Sequence, residues 1–217
     1  MAGTKAVITA GPTREAIDPV RFITNRSSGK QGYAVATALR DLGADVTLIS
    51  GPVALPAPAG VTRVEVETAE QMLAATLQSA AGADLLVAAA AVADYRMTDV
   101  AAHKIKKHSD TLSLALQRNP DILATVRAAQ PGLFMVGFAA ETERLAEHAR
   151  DKLARKHLNL IAANQVGAGL AFDVDTNALQ VFWADGQQAI AQGSKQAVAQ
   201  QLAELIAHHY LKATPAA

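Results

Sequence analysis

Short apolar runs alternate with longer amphipathic stretches along most of this 217-residue chain. The runs are continuously apolar, which is typical of strands that are buried on both faces of a sheet. Because parallel strands need helical connections, the pattern predicts an α/β fold: a Rossmann-like three-layer α/β/α domain, residues 1–217, with a mainly parallel sheet. The predicted strands are Ala6–Thr9, Asp45–Ile49, Thr62–Val66, Leu85–Ala89, Phe134–Gly137 and Leu160–Ala163.

Helices are predicted from capping signals between these strands. The residues Thr68–Gln71 have the spacing of a capping box, and Asn119-Pro120-Asp121 combines a capping residue, a first-turn proline and an N-terminal carboxylate. Gly43 is a typical C-terminal glycine for the helix before it. The remaining predicted helices are Ser28–Leu42, with Ser27 and Ser28 as capping residues, Glu141–Lys156 and Ser194–Tyr210.

Two segments depart from this pattern. Thr111–Leu116 and Asn177–Trp183 alternate between apolar and polar residues, as half-exposed antiparallel strands do. The first segment belongs to a polar excursion at about residues 95–117, which we predict to carry antiparallel β-structure and to serve as a dimer surface. The tail, residues 213–217, is predicted to be frayed.

Composition limits the class of protein. Twenty basic residues balance twenty acidic ones, so no net positive charge favours nucleic acid as a partner. There is no cysteine, which excludes disulfides and thiolate metal sites from this chain and is compatible with a reducing compartment. No apolar run reaches membrane-spanning length, and the first predicted strand leaves no room for a signal peptide. The sequence therefore predicts a cytoplasmic protein with no membrane partner.

A long loop, residues 10–32, joins the first predicted strand to the first helix. The loop contains Gly11, its Gly29 and Gly32 allow close approach of a ligand or a neighbouring strand, and Ser28 lies at the predicted helix start. A strand, a glycine-containing loop and a helix N-terminus together favour an anion, because free N–H groups converge there. We therefore predict a phosphate-binding site in this loop.

Two familiar phosphate sites do not fit this loop. An NAD-binding domain needs a compact glycine turn and an acid at the end of the second strand, whereas Gly11 and Gly29 are far apart and the second strand ends without a carboxylate. A kinase-type phosphate loop needs Ser or Thr after its lysine, whereas Lys30 is followed by Gln31.

Several residues then become candidates, each with a structural alternative. Asn25 could donate to an oxyanion or acyl carbonyl, or it could be an ordinary turn asparagine. The small residues from Ala88 through Ala91 leave room for a flat ligand at the carboxyl edge of the sheet, and Asp94 is either a ligand contact or a turn carboxylate. The other candidates are Phe138 as a stacking or core residue, and Lys104–Lys107, Lys152 and Lys156 as phosphate clamps or solvated lysines.

Seven strings occur in an order that is highly specific to one family: Ile8–Glu15, Asp18–Arg21, Asn25–Lys30, Ala90–Tyr95, Lys104–Lys107, Asn119–Ile122 and Gly137–Thr142. The chain closely resembles the bacterial phosphopantothenate–cysteine ligases from about Lys5 to Tyr210. In many bacteria this enzyme is the C-terminal half of a bifunctional coenzyme A biosynthesis protein. The flavin-dependent decarboxylase half, with its catalytic cysteine, has no counterpart in this sequence, which is thus either a standalone ligase or an excised domain.

The resemblance implies an activity. Members of this family use CTP and Mg²⁺ to convert 4′-phosphopantothenate to an acyl-cytidylate, which L-cysteine then attacks to give 4′-phosphopantothenoylcysteine and CMP. The Mg²⁺ is expected on the triphosphate, with no dedicated protein cage, and the family members are homodimers with the excursion at their interface.

The resemblance also implies roles for individual residues. Asn25 matches the asparagine that engages the acyl-cytidylate, Lys104 matches the lysine that is important for forming it, and Ala90 would contact the substrate. The residues that match nucleotide-binding positions are Gly11, Ser28, Gly29, Ala88, Asp94, Lys104, Gln117, Arg118, Asn119, Pro120, Phe138, Lys152 and Lys156.

Two other functions stay open at this point. A noncatalytic nucleotide-binding module would keep the fold without the chemistry, but the presence of both Asn25 and Lys104 argues against it. An NAD-dependent reductase is disfavoured by the missing ribose-binding acid. The preference for CTP over ATP rests on the resemblance alone.

Overall fold

The computed structural model describes residues 1–107, 109–166 and 175–214. Its helices, numbered in chain order, are α1 (Lys30–Asp41), α2 (Ala69–Ala80), α3 (Ile122–Ala129), α4 (Leu145–Arg155) and α5 (Lys195–Ala213). Its strands are β1 (Lys5–Ala10), β2 (Arg14–Ala16), β3 (Phe22–Thr24), β4 (Asp45–Ser50), β5 (Thr62–Glu65), β6 (Leu85–Ala88), β7 (Tyr95–Met97), β8 (Leu116–Arg118), β9 (Phe134–Glu141), β10 (Leu160–Gln165), β11 (Thr176–Trp183) and β12 (Gly186–Ser194).

Eight strands form the central sheet in the order β12-β11-β10-β9-β6-β1-β4-β5. The six predicted strands all belong to it and pair in parallel, so the predicted α/β class is confirmed. The alternating segment Asn177–Trp183 lies in β11, which pairs antiparallel with β10 and β12 at one edge. The edge strand β12 was not predicted, because Gly186–Ser194 contains few apolar residues.

Helices cover both faces of this sheet and give the predicted three layers. Alternate residues of β1 point to opposite faces: Ala6 and Ile8 pack with α1 and α5, whereas Val7 packs with α2, α3 and α4. Both faces are therefore buried, which explains why the central strands are continuously apolar. None of the helices in the described ranges has the length and apolar character needed to cross a membrane.

The helix starts agree with the sequence at two places. Thr68 and Gln71 form the predicted reciprocal capping box at α2. Ser194 caps α5, which runs to Ala213, beyond the predicted end at Tyr210. Residues 215–217 of the predicted frayed tail lie outside the described residues.

Two other predicted helix starts are wrong. Helix α4 begins at Leu145 instead of Glu141, because β9 continues past Gly137 and pairs Glu141 with Gln165. Helix α3 is capped by Asp121, whose carboxylate accepts a hydrogen bond from the N–H of Ala124 at 3.0 Å. The predicted cap, Asn119, instead donates its side-chain amide to the carbonyl of Ala93 at 2.8 Å.

Two small hairpins lie outside the central sheet. The β2–β3 hairpin occupies the long loop after β1, and the β7–β8 hairpin closes the base of the excursion. The prediction of a strand over Thr111–Leu116 is wrong, because β8 covers Leu116–Arg118 and pairs with β7, while no described residue from 111 to 115 lies in a strand. The hairpins meet where the N–H of Ala101 donates to the carbonyl of Ile17 at 3.1 Å.

The order of the strands determines where a crevice opens. From β1 the chain adds β4 and β5 on one side and then places β6 on the other side. In open α/β sheets, ligands bind beyond the carboxyl ends of strands at such a switch point. Here the segments that leave β1 and β6 are joined by a bridge between Pro12 and Ala91.

Candidate functional site

Helix α1 begins at this crevice without a side-chain cap. The prediction that Ser27 and Ser28 cap it is wrong, because Gly29 is the N-cap residue in a left-handed conformation with φ 75°. The Ser27 hydroxyl instead accepts a hydrogen bond from the N–H of Gly29 at 3.4 Å. The first N–H groups of a helix have no partner within it, so those of α1 are available to an anion.

Glycines bring this loop close to the sheet. A Cβ atom on Gly29 would lie 3.3 Å from the Cα of Gly11, and one on Gly32 would lie 2.6 Å from the Cβ of Ala10. The expectation that Gly32 permits close approach of a strand is therefore confirmed. Gly11, whose φ is also 75°, packs directly against Gly29.

Two adjoining cavities lie at the crevice. The first, which we call the serine cavity, has a volume of about 420 Å³ and is bounded by the α1 start, including Ser27 through Gly32. The second, which we call the lysine cavity, has a volume of about 450 Å³ and is bounded by Lys156 and the residues before α3. They share five lining residues: Ala90, Val92, Asp94, Phe138 and Lys152.

Many of the predicted residues meet at these cavities. Asn25, Ser28 and Gly29 line the serine cavity, and Ala88, Asn119, Pro120 and Lys156 line the lysine cavity. Four of the predicted site residues that the structure describes line neither cavity: Gly11, Lys104, Gln117 and Arg118. Lys104 is exposed on the excursion, and Gln117 and Arg118 lie in β8.

Asn25 is held against the segment that follows β6. Its side-chain N–H₂ donates to the carbonyls of Ala91 and Val92, each at 3.1 Å. The sequence offered two roles for Asn25, an ordinary turn asparagine and a donor to an oxyanion. Neither describes this arrangement, because both amide N–H groups donate to carbonyls of a distant segment. The amide joins two walls of the serine cavity, and its oxygen remains as a hydrogen-bond acceptor.

Lys152 lies between the cavities in a half-buried position. Its ammonium donates to the carbonyl of Phe138 at 2.7 Å. Burial lowers the pKa of Lys152 and outweighs the opposite effects of the Glu141 and Asp121 carboxylates. A lysine with a lowered pKa in a cleft is a candidate functional group.

Lys156 forms an ion pair with Asp121, the capping residue of α3. Burial of Asp121 favours its neutral form, but the hydrogen bonds from Lys156 and from the N–H of Ala124 hold its pKa below the usual value. The pair fixes the Lys156 ammonium at the wall of the lysine cavity, where a phosphate group can reach it.

Several polar residues of the serine cavity were not predicted. Lys30 forms an ion pair with Asp175 at 2.5 Å, and this hydrogen bond lowers the pKa of the Asp175 carboxyl. Asn177 donates to Gln31 at 3.0 Å, and the buried Lys195 lies on the same wall. Lys30 follows Gly29 directly and could have been found from the loop pattern. Lys195 and Asn177 have no local signal, because only the fold brings them to the loop.

A larger cavity of about 1000 Å³ lies on the other side of Ser27 and Ser28. Two arginines line it: the Arg63 guanidinium donates to the carbonyl of Leu55 at 3.0 Å and pairs with the Glu65 carboxylate, and the Arg14 guanidinium lies over the Phe22 ring, 4.7 Å from its centroid. It lies away from the carboxyl ends of β6 and β9, so we assign the chemistry to the serine and lysine cavities.

A family model described as the DNA/pantothenate metabolism flavoprotein C-terminal domain matches residues 1–210. The chain belongs to this family. The sequence resemblance is confirmed, because the bifunctional protein CoaBC of coenzyme A biosynthesis from Vibrio cholerae is 50% identical over 210 residues, covering 95% of this chain and 53% of that protein. The Escherichia coli K12 protein of the same name is 47% identical over 209 residues, covering 94% and 52%. The chain thus spans about half the length of these curated relatives.

Solved structures agree with the family assignment. The crystal structure of the C-terminal domain of CoaBC superimposes with a TM-score of 0.81 at 40% identity, and the match covers 95% of both chains. A Cab2 mutant in complex with phosphopantothenate-cysteine has a TM-score of 0.82 at 16% identity, covering 97% of this chain and 87% of that chain. At this low identity, the second match shows the shared fold alone.

Proposed function

We propose that this member of the family is a phosphopantothenate–cysteine ligase that uses CTP, and that residues 1–217 form one ligase domain. The observation that carries the proposal is the pair of adjoining cavities at the switch point of the sheet. One is bounded by an uncapped helix start and the other by two lysines, so two phosphorylated molecules can meet between them. Membership of the family and the matching motif residues support the same conclusion.

The geometry favours a division of the two substrates between the cavities. The serine cavity would hold 4′-phosphopantothenate, with its phosphate at the N–H groups of α1 and beside Lys30. The lysine cavity would hold CTP, with its phosphates near Lys152 and Lys156. Ser28 and Gly29, which the sequence assigned to the nucleotide, would then contact the phosphate of the acid instead.

The reaction needs two steps, activation of the carboxylate and attack by the amine. The carboxylate of 4′-phosphopantothenate attacks the α-phosphorus of CTP, so that a C–O–P linkage forms and pyrophosphate leaves. The amine of L-cysteine then attacks the acyl carbon, so that a C–N bond forms and CMP leaves. Asn25 would hold the wall that positions the acyl group, and Lys104 would stabilise charge that passes to pyrophosphate.

Mg²⁺ would accompany CTP, where it neutralises phosphate charge during transfer. Within the described residues, no three His, Asp or Glu side chains come together as a metal-binding group. We propose that the triphosphate provides most of the ligands of this ion, and Asp94 and Glu141 are the carboxylates of the lysine cavity, beside Asp121, that could complete its coordination.

We also propose that the ligase is a homodimer. Among the described residues, six of the seven large hydrophobic side chains that are exposed lie in or beside the two hairpins: Val20, Phe22, Tyr95, Val100, Leu112 and Leu116. Such a concentration of exposed apolar side chains marks an interaction surface. A second copy of the chain would cover it and bring Lys104 near the partner.

The proposal includes a cytoplasmic location and a relation to a flavin-dependent decarboxylase. Coenzyme A precursors are small, charged metabolites, and the absence of cysteine suits a reducing compartment. The relatives are bifunctional proteins of about twice this length, so the chain corresponds to their ligase half.

Pyrophosphate release tests the proposed function. With Mg²⁺, release is expected only when CTP and 4′-phosphopantothenate are both present, and added L-cysteine should give 4′-phosphopantothenoylcysteine by mass spectrometry. ATP in place of CTP measures the nucleotide preference. Nucleotide binding without pyrophosphate release in the complete mixture would indicate a noncatalytic module instead.

The lowered pKa of Lys152 predicts how CTP binding depends on pH. Affinity should fall as pH rises through this pKa, because the neutral amine no longer attracts phosphate. Lys152→Gln should weaken binding at neutral pH by roughly 10- to 100-fold, since a hydrogen bond to a charged group contributes about 1.5–3 kcal/mol. Calorimetric titration from about pH 7 to about pH 10 covers the range in which lysines titrate.

Lys152→Arg is the control, since its guanidinium stays charged and should shift the loss of affinity to higher pH. Equal pH profiles for the wild type, Lys152→Arg and Lys152→Gln would mean that Lys152 does not contact the nucleotide.

A further inference from the structure

Asp18 is a buried carboxylate in the turn between β2 and β3. It accepts hydrogen bonds from the N–H groups of Val20 and Arg21, both at 2.9 Å, and from the Arg21 guanidinium at 2.5 and 3.1 Å. These bonds from Arg21 hold the pKa of Asp18 well below its usual value despite burial. The carboxylate therefore stays ionised and keeps a fixed orientation.

A fifth donor reaches Asp18 from a distant part of the chain. The N–H of Ile105, which lies in the excursion, donates to the Asp18 carboxylate at 3.1 Å. The Arg21 guanidinium, which is bound to the same carboxylate, donates to the carbonyl of Ile105 at 3.2 Å. Asp18 and Arg21 thus hold both backbone polar groups of Ile105, and we call this arrangement the Ile105 clamp.

The clamp is the attachment point of this part of the excursion. Of the described residues from 102 to 114, only Ile105 forms a hydrogen bond with a residue outside this segment. Lys104 is the residue directly before it, and both Lys104 and Lys106 are exposed. The Lys104 backbone is therefore held to the β2–β3 hairpin directly by the bonds on its neighbour Ile105, with the next restraint three residues earlier, where Ala101 donates to Ile17.

We propose that Asp18 is a positioning residue for Lys104, acting through the backbone of Ile105. This inference rests on the proposed ligase function, in which Lys104 assists pyrophosphate release. Asp18 need not contact a substrate for this role. Without the clamp, Lys104 would sample many positions and would spend little time where the charge develops, in its own subunit or in the partner.

The substitution Asp18→Asn tests the proposal, because it keeps the shape of the side chain and removes its charge. Single-turnover pyrophosphate release should slow by about 10- to 100-fold, the loss expected when a catalytic group is misplaced by up to about 1 Å. The CTP dissociation constant should change much less than this rate, because neither Asp18 nor Lys104 lines the two cavities. In a Lys104→Gln background, Asp18→Asn should cause little further loss, since the residue that it positions is already absent.

Glu15→Gln is the matched control. Glu15 is a buried carboxylate in the same hairpin, but it accepts a hydrogen bond from the N–H of Ala69 at 2.9 Å and so ties the hairpin to α2. Any effect of Glu15→Gln should be the same with and without Lys104. If Asp18→Asn does not fold, Arg21→Met breaks the clamp from its more exposed partner, with the same expected result.

Amide hydrogen exchange gives a second readout that does not depend on catalysis. Asp18→Asn should speed exchange in residues 102–107, whereas Glu15→Gln should leave it unchanged. Unchanged exchange there, or equal kinetic losses from Asp18→Asn with and without Lys104, would overturn the positioning role. A wild-type protein that releases no pyrophosphate would instead overturn the proposed function, while the exchange measurement would still test the clamp.

Discussion

Turnover in the proposed ligase reaction is expected to fall by about 10²-fold in Asn25→Asp, the loss expected when reacting groups are misplaced by about 1 Å. The aspartate cannot donate to the carbonyls of Ala91 and Val92, and its charge would repel both oxygens. The wall of the serine cavity at Ala91 would then move. Steady-state ligase assays should show this loss, with CTP affinity changed much less because Asn25 does not line the lysine cavity.

Two variants separate the causes of this loss. Asn25→Ala removes the two hydrogen bonds without adding charge and should retain more activity than Asn25→Asp. Asn177→Asp adds a charge to the same cavity but breaks only the bond to Gln31, so its loss should be smaller. Turnover in Asn25→Asp within about twofold of wild type would contradict a role for these hydrogen bonds in holding the wall.

A charge placed on the exposed apolar surface should separate the proposed dimer. Leu112 is 57% exposed on the excursion, and Leu112→Lys would bury an unpaired ammonium in the interface. We expect monomers by light scattering and the loss of most turnover, because the excursion that carries Lys104 would no longer be held between two subunits. Circular dichroism should show that the monomer remains folded.

Leu211→Lys is the matched control, since Leu211 is 56% exposed but lies on α5, away from the hairpins. This variant should remain dimeric and fully active. A folded Leu112→Lys monomer with wild-type turnover would show that the site does not depend on association. A Leu112→Lys protein that is still dimeric would place the interface elsewhere.

The fold was largely predictable because its strands are buried on both faces. A run such as Leu85-Leu86-Val87 can only be a core segment, and its ends show where the carboxyl edge of the sheet lies. Part of the site follows from the same reasoning, since Asp94 comes shortly after the end of β6 and Phe138 lies in the carboxyl half of β9. Local spacing also identified the Thr68 capping box, because its two hydrogen bonds involve residues only three apart.

The remaining features depend on contacts between distant residues. Asn119 has the sequence context of a helix cap, but its amide binds Ala93 across the base of the excursion. Asp18 resembles an ordinary turn aspartate until the fold brings Ile105 to it. The strands β2 and β3 have three residues each, which is too short for a periodic pattern to be visible. Only the tertiary structure reveals these roles.

The order of the strands also has a consequence for synthesis on the ribosome. When the inner strand β6 is synthesised, its neighbour β1 has already been made, but its other neighbour, β9, begins only at Phe134. Between them the ribosome produces the whole excursion and α3, so the fully buried Leu85–Val87 edge stays unpaired during that interval. Open apolar edges invite wrong pairing during folding. The excursion, which we propose to carry a catalytic lysine, therefore also lengthens the time for which the incomplete sheet has an open edge that a chaperone could protect.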